Sequence, residues 1–154
     1  MRKQRWLTCW VAHRLEMMIS APWKARPIAV ARLLERLEIE HLRHGGLHNG
    51  KLYVSYGQLQ LAGLSRRVVK PALECGRDLG FIEIMQDQSG EAKGSVRPPN
   101  AYRLTYLPAG KAAPTDEWKR VTDVRATAIA ERFRAATGSR SQENSAGELE
   151  EVAV

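Results

Sequence analysis

Gly45-Gly46-Leu47-His48-Asn49-Gly50-Lys51 meets the spacing G-x-x-x-x-G-K, with which a glycine-rich loop turns its amides toward the phosphates of a nucleotide. Two features argue against that chemistry. Leu52 follows where the loop needs Ser or Thr for magnesium, and the stretch lies after a helical pattern and before a strand-like one, the reverse of the required order. The glycines are better explained as a helix stop and a turn into a strand, where φ > 0 is needed. Glu38, His41, His44 and His48 could suggest a metal site, but His41 falls on an apolar stripe with Leu34 and Leu37, where a hydrogen-bonded core histidine is the simpler reading. His44 lies close to that stripe and His48 sits in a glycine-rich loop without fixed geometry, so no metal is expected. No paired carboxylates in a cleft, no Gly-x-Ser-x-Gly and no nucleophile beside a base nominate an enzyme, and no cofactor is implied. Cys9 and Cys75 are far apart with no CxxC spacing, which excludes a zinc ribbon and a disulfide framework and favours a reducing, cytoplasmic setting.

The chemistry that remains is electrostatic. The 154 residues carry 24 Lys+Arg against 17 Asp+Glu, a formal charge of +7. From residue 138 to 154 one base, Arg140, faces Glu143, Glu148, Glu150 and Glu151, a net of −3, so residues 1–137 carry +10. Polyanions are therefore the first class of partner to test. Hydrophobic residues make up 44%, which excludes wholesale disorder. The apolar run from Trp6 to Ala12 is too short for export or a membrane span, and neither is expected.

Where the charge could act depends on the elements that carry it. Trp6, Trp10, His13 and Met17 recur at helical spacing and predict an amphipathic helix over 6–19, broken by Ser20-Ala21-Pro22-Trp23. Pro27 opens a second helix with the inner stripe Val30, Leu33, Leu34, Leu37 and His41, ending at Gly45-Gly46. Lys51-Leu52-Tyr53-Val54 is β-prone. Ser55 with Gln58 forms a capping-box pattern that starts a short helix stopping at Gly63. Ser65 caps a helix that runs to Leu79 with Gly80 as its stop. Phe81-Ile82-Glu83-Ile84-Met85 and Ala101-Tyr102-Arg103-Leu104-Thr105-Tyr106 alternate as two strands around a polar loop, 86–100. Thr115-Asp116-Glu117 starts a last helix whose Val124, Ile129 and Phe133 make no clean stripe, so it is expected to be exposed or to dock on a partner.

This order is that of a winged helix-turn-helix, mainly α with a small β-wing (α+β). On a helical wheel Arg66, Arg67, Lys70, Glu74, Arg77 and Asp78 share an arc of about 120°, opposite Val68, Val69, Ala72, Leu73, Cys75, Gly76 and Leu79. The cations cluster at the N-terminal end, which is the end a recognition helix presents to the major groove. Against the helix dipole each is unfavourable by roughly 0.3–1 kcal/mol, a loss that a function would explain. Pro71 conflicts with a regular helix and predicts a kink or an irregular first turn.

Arg36-Leu37-Glu38-Ile39-Glu40-His41-Leu42-Arg43-His44-Gly45-Gly46, Asn49-Gly50-Lys51-Leu52, Gly63-Leu64-Ser65-Arg66-Arg67, Leu79-Gly80-Phe81-Ile82-Glu83 and Tyr102-Arg103-Leu104-Thr105-Tyr106 resemble winged-helix proteins of proteobacterial plasmids, integrative elements and prophages, some related to replication initiators. The resemblance covers about residues 15–120, including Pro114-Thr115-Asp116-Glu117-Trp118. It implies DNA binding by the helix after Ser65 and by the wing.

The expected organisation is an N-terminal amphipathic helix, 1–19; a winged domain, 20–107; a helical extension, 108–137; and a disordered acidic tail, 138–154. The expected function is sequence-dependent binding of double-stranded DNA by a small regulator of transcription, replication or excision on a bacterial mobile element, in the cytoplasm at the nucleoid. Its DNA-binding residues would be Ser55, Tyr56, Gln58, Ser65, Arg66, Arg67 and Lys70, with Lys93 and Arg97 on the wing. Amides at the start of the helix after Ser55 would hold a phosphate. A homodimer through Trp6, Trp10 and Met17 is the expected protein partner. The alternative is a protein-interaction module acting through that stripe without DNA contact. A single-strand or RNA binder ranks lower, because the outward arc carries no aromatic.

Overall fold

A computed structural model describes residues 9–85 and 100–152, with side chains described as far as residue 138. The architecture is mixed α and β: helices α1 (Leu15–Met18), α2 (Ala21–Ala25), α3 (Ile28–Arg43), α4 (Tyr56–Leu61), α5 (Arg66–Asp78) and α6 (Asp123–Val152), with strands β1 (Leu52–Tyr53), β2 (Ile82–Met85) and β3 (Ala101–Leu104). A 3-10 turn, Glu117–Arg120, precedes α6. The strands form one antiparallel sheet in the order β1-β3-β2, with Leu52 opposite Tyr102 and Ile82 opposite Leu104. Those four side chains are buried with Val30, Leu33, Leu34 and Leu37 of α3 and Val69, Ala72 and Leu73 of α5. At about 1.5–3 kcal/mol for each large apolar side chain buried, this layer is the main source of cohesion.

The helix stops predicted from glycine are present. α3, α4 and α5 each end with paired bonds back into the last turn: Gly45 to Leu42 and Gly46 to His41, Gly63 to Gln60 and Leu64 to Leu59, Gly80 to Arg77 and Phe81 to Gly76. The loop after α3 is tied to the sheet by Asn49, a residue whose weight the sequence does not reveal. Its side-chain amide donates to the carbonyls of Leu104 (2.9 Å) and Leu107 (3.1 Å), and its oxygen accepts from the Leu104 amide (2.8 Å).

Several expectations change. Residues 9–14 are not helical; they run back along α3, where the Cys9 thiol donates to the Leu42 carbonyl and His13 Nε2 lies 2.6 Å from Glu38 Oε1. His13 also packs edge-on to Trp23, and Arg14 pairs with Asp116. These long-range bonds replace the local ones a helix would make. Trp10 is consequently 61% exposed while Met17 is in the core, and Trp6 lies outside the described residues, so Trp10 and Met17 do not share a face. The break expected at Ser20-Ala21-Pro22-Trp23 is present, since α1 ends at Met18, but the same residues open α2: Pro22 sits in its first turn, where its missing amide is harmless, and the Ser20 hydroxyl accepts from the Trp23 amide.

The C-terminal helix starts at Asp123, not Thr115, because Asp116 adopts a left-handed conformation (φ 52°) and the Thr115 and Asp116 amides both donate to the Thr105 carbonyl. Far from being exposed, α6 packs on α5 and α2 through Ala126, Ile129 and Ala130, with Phe133 continuing the row. The alanines complete a stripe to which Val124, 82% exposed, does not belong. The helix backbone also continues to Val152 through the segment expected to be a disordered tail.

His41 is buried, as its stripe requires, but its Nδ1 has no hydrogen-bond partner. Burial holds its pKa below the usual 6.5, against a smaller opposing pull from Glu38. For Glu40 and Glu117 burial alone would raise the pKa, but hydrogen bonds from Arg36 and His44, and from Thr115 and Arg103, outweigh it and hold both below 4.5. All three bind protons more readily unfolded than folded, so stability rises with pH across these ranges. The thermal midpoint is therefore expected to fall as pH drops below 6.5 and again below 4.5. In His41→Leu the first of these slopes should flatten, as differential scanning calorimetry across pH will show.

Candidate nucleic-acid interface

The surface in question is the N-terminal half of α5, and its aim is set by the turn before it. Leu59 and Leu64 are buried on either side of Gly63, fixing α4 and α5 to the same core. From across the turn, Arg32 of α3 donates to the Gly63 carbonyl at 3.2 Å. Sequence reasoning missed this bond, and no local signal could have shown it, because the two residues are 31 positions apart.

On α5 the expected faces are present, with Val68 and Asp78 half-buried at their borders. Arg66, Arg67, Lys70, Glu74 and Arg77 are exposed, whereas Val69, Ala72, Leu73, Cys75 and Gly76 are buried. Arg66, Arg67 and Lys70 form no ion pair with any described residue. Further along, Asp78 lies 3.3 Å from Arg77 and 4.0 Å from Arg132 of α6, so its charge is balanced within the protein. The free positive charge of α5 is thus concentrated at its first turns.

Ser65 occupies the N-cap position with extended backbone, but its hydroxyl makes no capping bond, which corrects the expectation that the side chain caps. The Ser65 carbonyl instead accepts from both the Val68 amide (2.9 Å) and the Val69 amide (3.3 Å). This shared acceptor tightens the first turn, in line with the irregularity Pro71 predicts. Pro71 itself stays within a continuous helix and leaves the Arg67 carbonyl without its usual amide donor.

On α4 the capping box is complete: the Gln58 amide donates to Ser55 Oγ (3.1 Å) and the Ser55 amide to Gln58 Oε1 (2.9 Å). Ser55 and Gln58 are therefore engaged with each other, and Gln58 and Tyr56, the latter 44% exposed, are the exposed candidates on this element. Lys93 and Arg97 lie outside the described residues.

No family model, curated protein or solved structure matches the chain.

The remaining chemical candidates separate in space. Glu38 turns to His13 and to the Tyr106 hydroxyl, which donates to it at 2.7 Å. His44 pairs with Glu40 and stacks on His48, with ring centroids 4.4 Å apart. Among the described residues no three metal-ligating side chains converge. Cys75 lies under α6 with its thiol pushed up to about 12 by burial, with a smaller push from Asp78, so it stays protonated and unreactive at neutral pH. None of the described helices is long and apolar enough to cross a membrane.

Proposed function

We propose that the protein is a winged helix-turn-helix module that binds double-stranded DNA in a sequence-dependent manner, with α4 and α5 as its helix-turn-helix pair. The observation that carries this reading is the exposed cluster of Arg66, Arg67 and Lys70, ion-paired with no described residue, at the leading end of a helix whose other face packs on the core through Val69, Ala72, Leu73, Cys75 and Gly76. A recognition helix meets the major groove with that end, and guanidinium groups there can reach guanine edges or flanking phosphates. Lys70 follows the groove, and Tyr56 and Ser65 stand beside it. The resemblance to winged-helix proteins of mobile elements supports a regulatory role in transcription, replication or excision.

Interaction with another protein through the N-terminal segment is the rival reading, and it now rests on Trp10 and the exposed Leu15 and Ile19, since Met17 is internal. The two are separated by titrating labelled random duplex and a genomic-fragment library with wild type and Arg66→Ala/Arg67→Ala over a salt series. Wild type is expected to bind both at low salt. Removing a phosphate interaction should lower the salt slope by about one, whereas removing a base interaction should weaken the preferred site alone by about 1–3 kcal/mol. Absence of duplex binding at low salt, or a double variant that binds like wild type, rules out the mechanism.

A further inference from the structure

The outer face of α3 carries charge and apolar surface that neither the core nor the α5 face uses. Glu35, Ile39 and Arg43 stand about one turn apart in a single row on the side opposite Leu33 and Leu37, and all three are exposed. With Arg32 and, on α4, Leu61, they line a groove of about 490 Å³. Its apolar side chains are bare: Leu61 is 90% exposed and Ile39 is 38% exposed. Its charges are of both signs. Arg36 is neutralised by Glu40 at 2.9 Å and Arg32 donates to the Gly63 carbonyl, whereas Glu35 and Arg43 form no ion pair with any described residue. Along the row the order is acid, apolar, base, with each charge about 6 Å from Ile39 along the helix axis.

We propose that this face joins two copies of the chain in a symmetric dimer. A two-fold axis at Ile39 sets the two rows side by side in opposite directions, and rows of four-residue spacing are those that most often interdigitate between helices. Glu35 of each copy then meets Arg43 of the other, Ile39 meets Ile39, and Leu61 of both copies widens the apolar centre. Arg32, seven residues before Ile39, falls opposite the C-terminal end of the second α3, where the helix dipole favours a cation. Charge decides the occupant because this pattern complements itself. An acidic helix is repelled by Glu35, and a basic one by Arg32 and Arg43. A DNA duplex sets phosphates against Glu35 and against two apolar side chains that gain nothing from them. Arg66, Arg67 and Lys70 do not line the groove, so on the DNA-binding reading a dimer carries two such clusters, one for each half of a two-fold symmetric site.

The test is self-association of the full chain without DNA, so its outcome is independent of the DNA-binding reading. Sedimentation equilibrium from about 1 μM to 1 mM should show a reversible monomer–dimer equilibrium in wild type. Leu61→Ser, Glu35→Arg and Arg43→Glu, all at exposed positions, should each weaken the dimer at least tenfold. Glu35→Arg and Arg43→Glu mixed in equal amounts should associate again, because one row then carries two bases and the other two acids. A loss of fold in either variant would not give that rescue. A helical peptide with leucines on one stripe and glutamates beside it, titrated in parallel, should not bind. The proposal is overturned if wild type stays monomeric throughout, if the three single variants dimerise like wild type, or if the mixture stays monomeric. Binding of the acidic peptide to wild type but not to Arg43→Glu would also overturn it, by giving the groove to a partner protein.

Discussion

Arg66→Glu/Arg67→Glu is expected to abolish duplex binding and, at the same time, to raise the thermal midpoint. The two arginines occupy the first and second helical positions of α5, are exposed, and form no ion pair with any described residue. At such positions the unsatisfied amides make the helix end positive, so each arginine is unfavourable and each glutamate favourable by about 0.3–1 kcal/mol. Reversing both should stabilise the protein, because neither guanidinium is paired with a described carboxylate. On DNA the sign inverts. Two attractive charges become two repulsive ones against the phosphates, and like-charge juxtaposition of this kind costs several kcal/mol, so affinity should fall by at least about a hundredfold. Fluorescence anisotropy on random duplex at low salt, read beside calorimetry on the same sample, checks both halves. A variant that is less stable and binds poorly would show only that the protein had been damaged. A variant that is more stable and still binds would place the DNA face elsewhere.

The opposite signs also explain why α5 looks the way it does. Its leading turn combines a serine hydroxyl that does not cap, two arginines set against the dipole and a proline that removes an amide. Each is a local loss for the helix. They persist because α5 is held from three sides, by α3, by α4 and by the Ala126/Ile129/Ala130 row of α6. Tertiary packing thereby permits an N-terminal end whose composition suits an external anion better than the helix itself.

What could be foreseen follows the range of the interactions involved. The two faces of α5, the capping box of Ser55 and Gln58, and the stops at Gly45, Gly63 and Gly80 depend on residues within about one helical turn, and all are visible in the sequence. The N-terminal segment is not, because the bonds of His13 to Glu38 and of Arg14 to Asp116 span 25 and 102 residues and outweigh a local amphipathic pattern. Asn49 is equally opaque, since an Asn-Gly pair signals a turn whether or not its side chain is buried. For α6 the signal was present but small: alanines at 126 and 130 carry the packing face, and a search for large apolar residues passes over them. The same division holds for the candidate site. Arg66, Arg67 and Lys70 are legible on a helical wheel, whereas Arg32, which fastens the turn that aims them, is legible only in three dimensions.

The largest stability effect is expected from Gly80→Ala. Gly80 ends α5 at φ 85°, and its carbonyl accepts from the Thr105 hydroxyl at 2.6 Å. A methyl group there would lie 2.5 Å from the Trp118 amide nitrogen and 2.7 Å from the Glu117 carbonyl carbon, both backbone atoms that no rotamer change can move aside. The left-handed conformation alone costs a non-glycine residue about 1–2 kcal/mol. Relieving the clash requires the 117–120 turn to withdraw, and with it Trp118, which is 4% exposed and hydrogen-bonded to Asp116. Displacing a buried aromatic of that size costs about 3–5 kcal/mol, so the total should exceed about 4 kcal/mol and lower the midpoint by roughly 10 °C or more in a chain of this length. Gly45→Ala is the matched control: its φ is 63° and a methyl group there meets nothing within 4 Å, so it carries the conformational loss alone. Thermal unfolding of the two variants side by side isolates the close approach of α5 to the 117–120 turn. If Gly80→Ala is no worse than Gly45→Ala, the end of α5 is not wedged against that turn, and Trp118 must hold its place by other contacts.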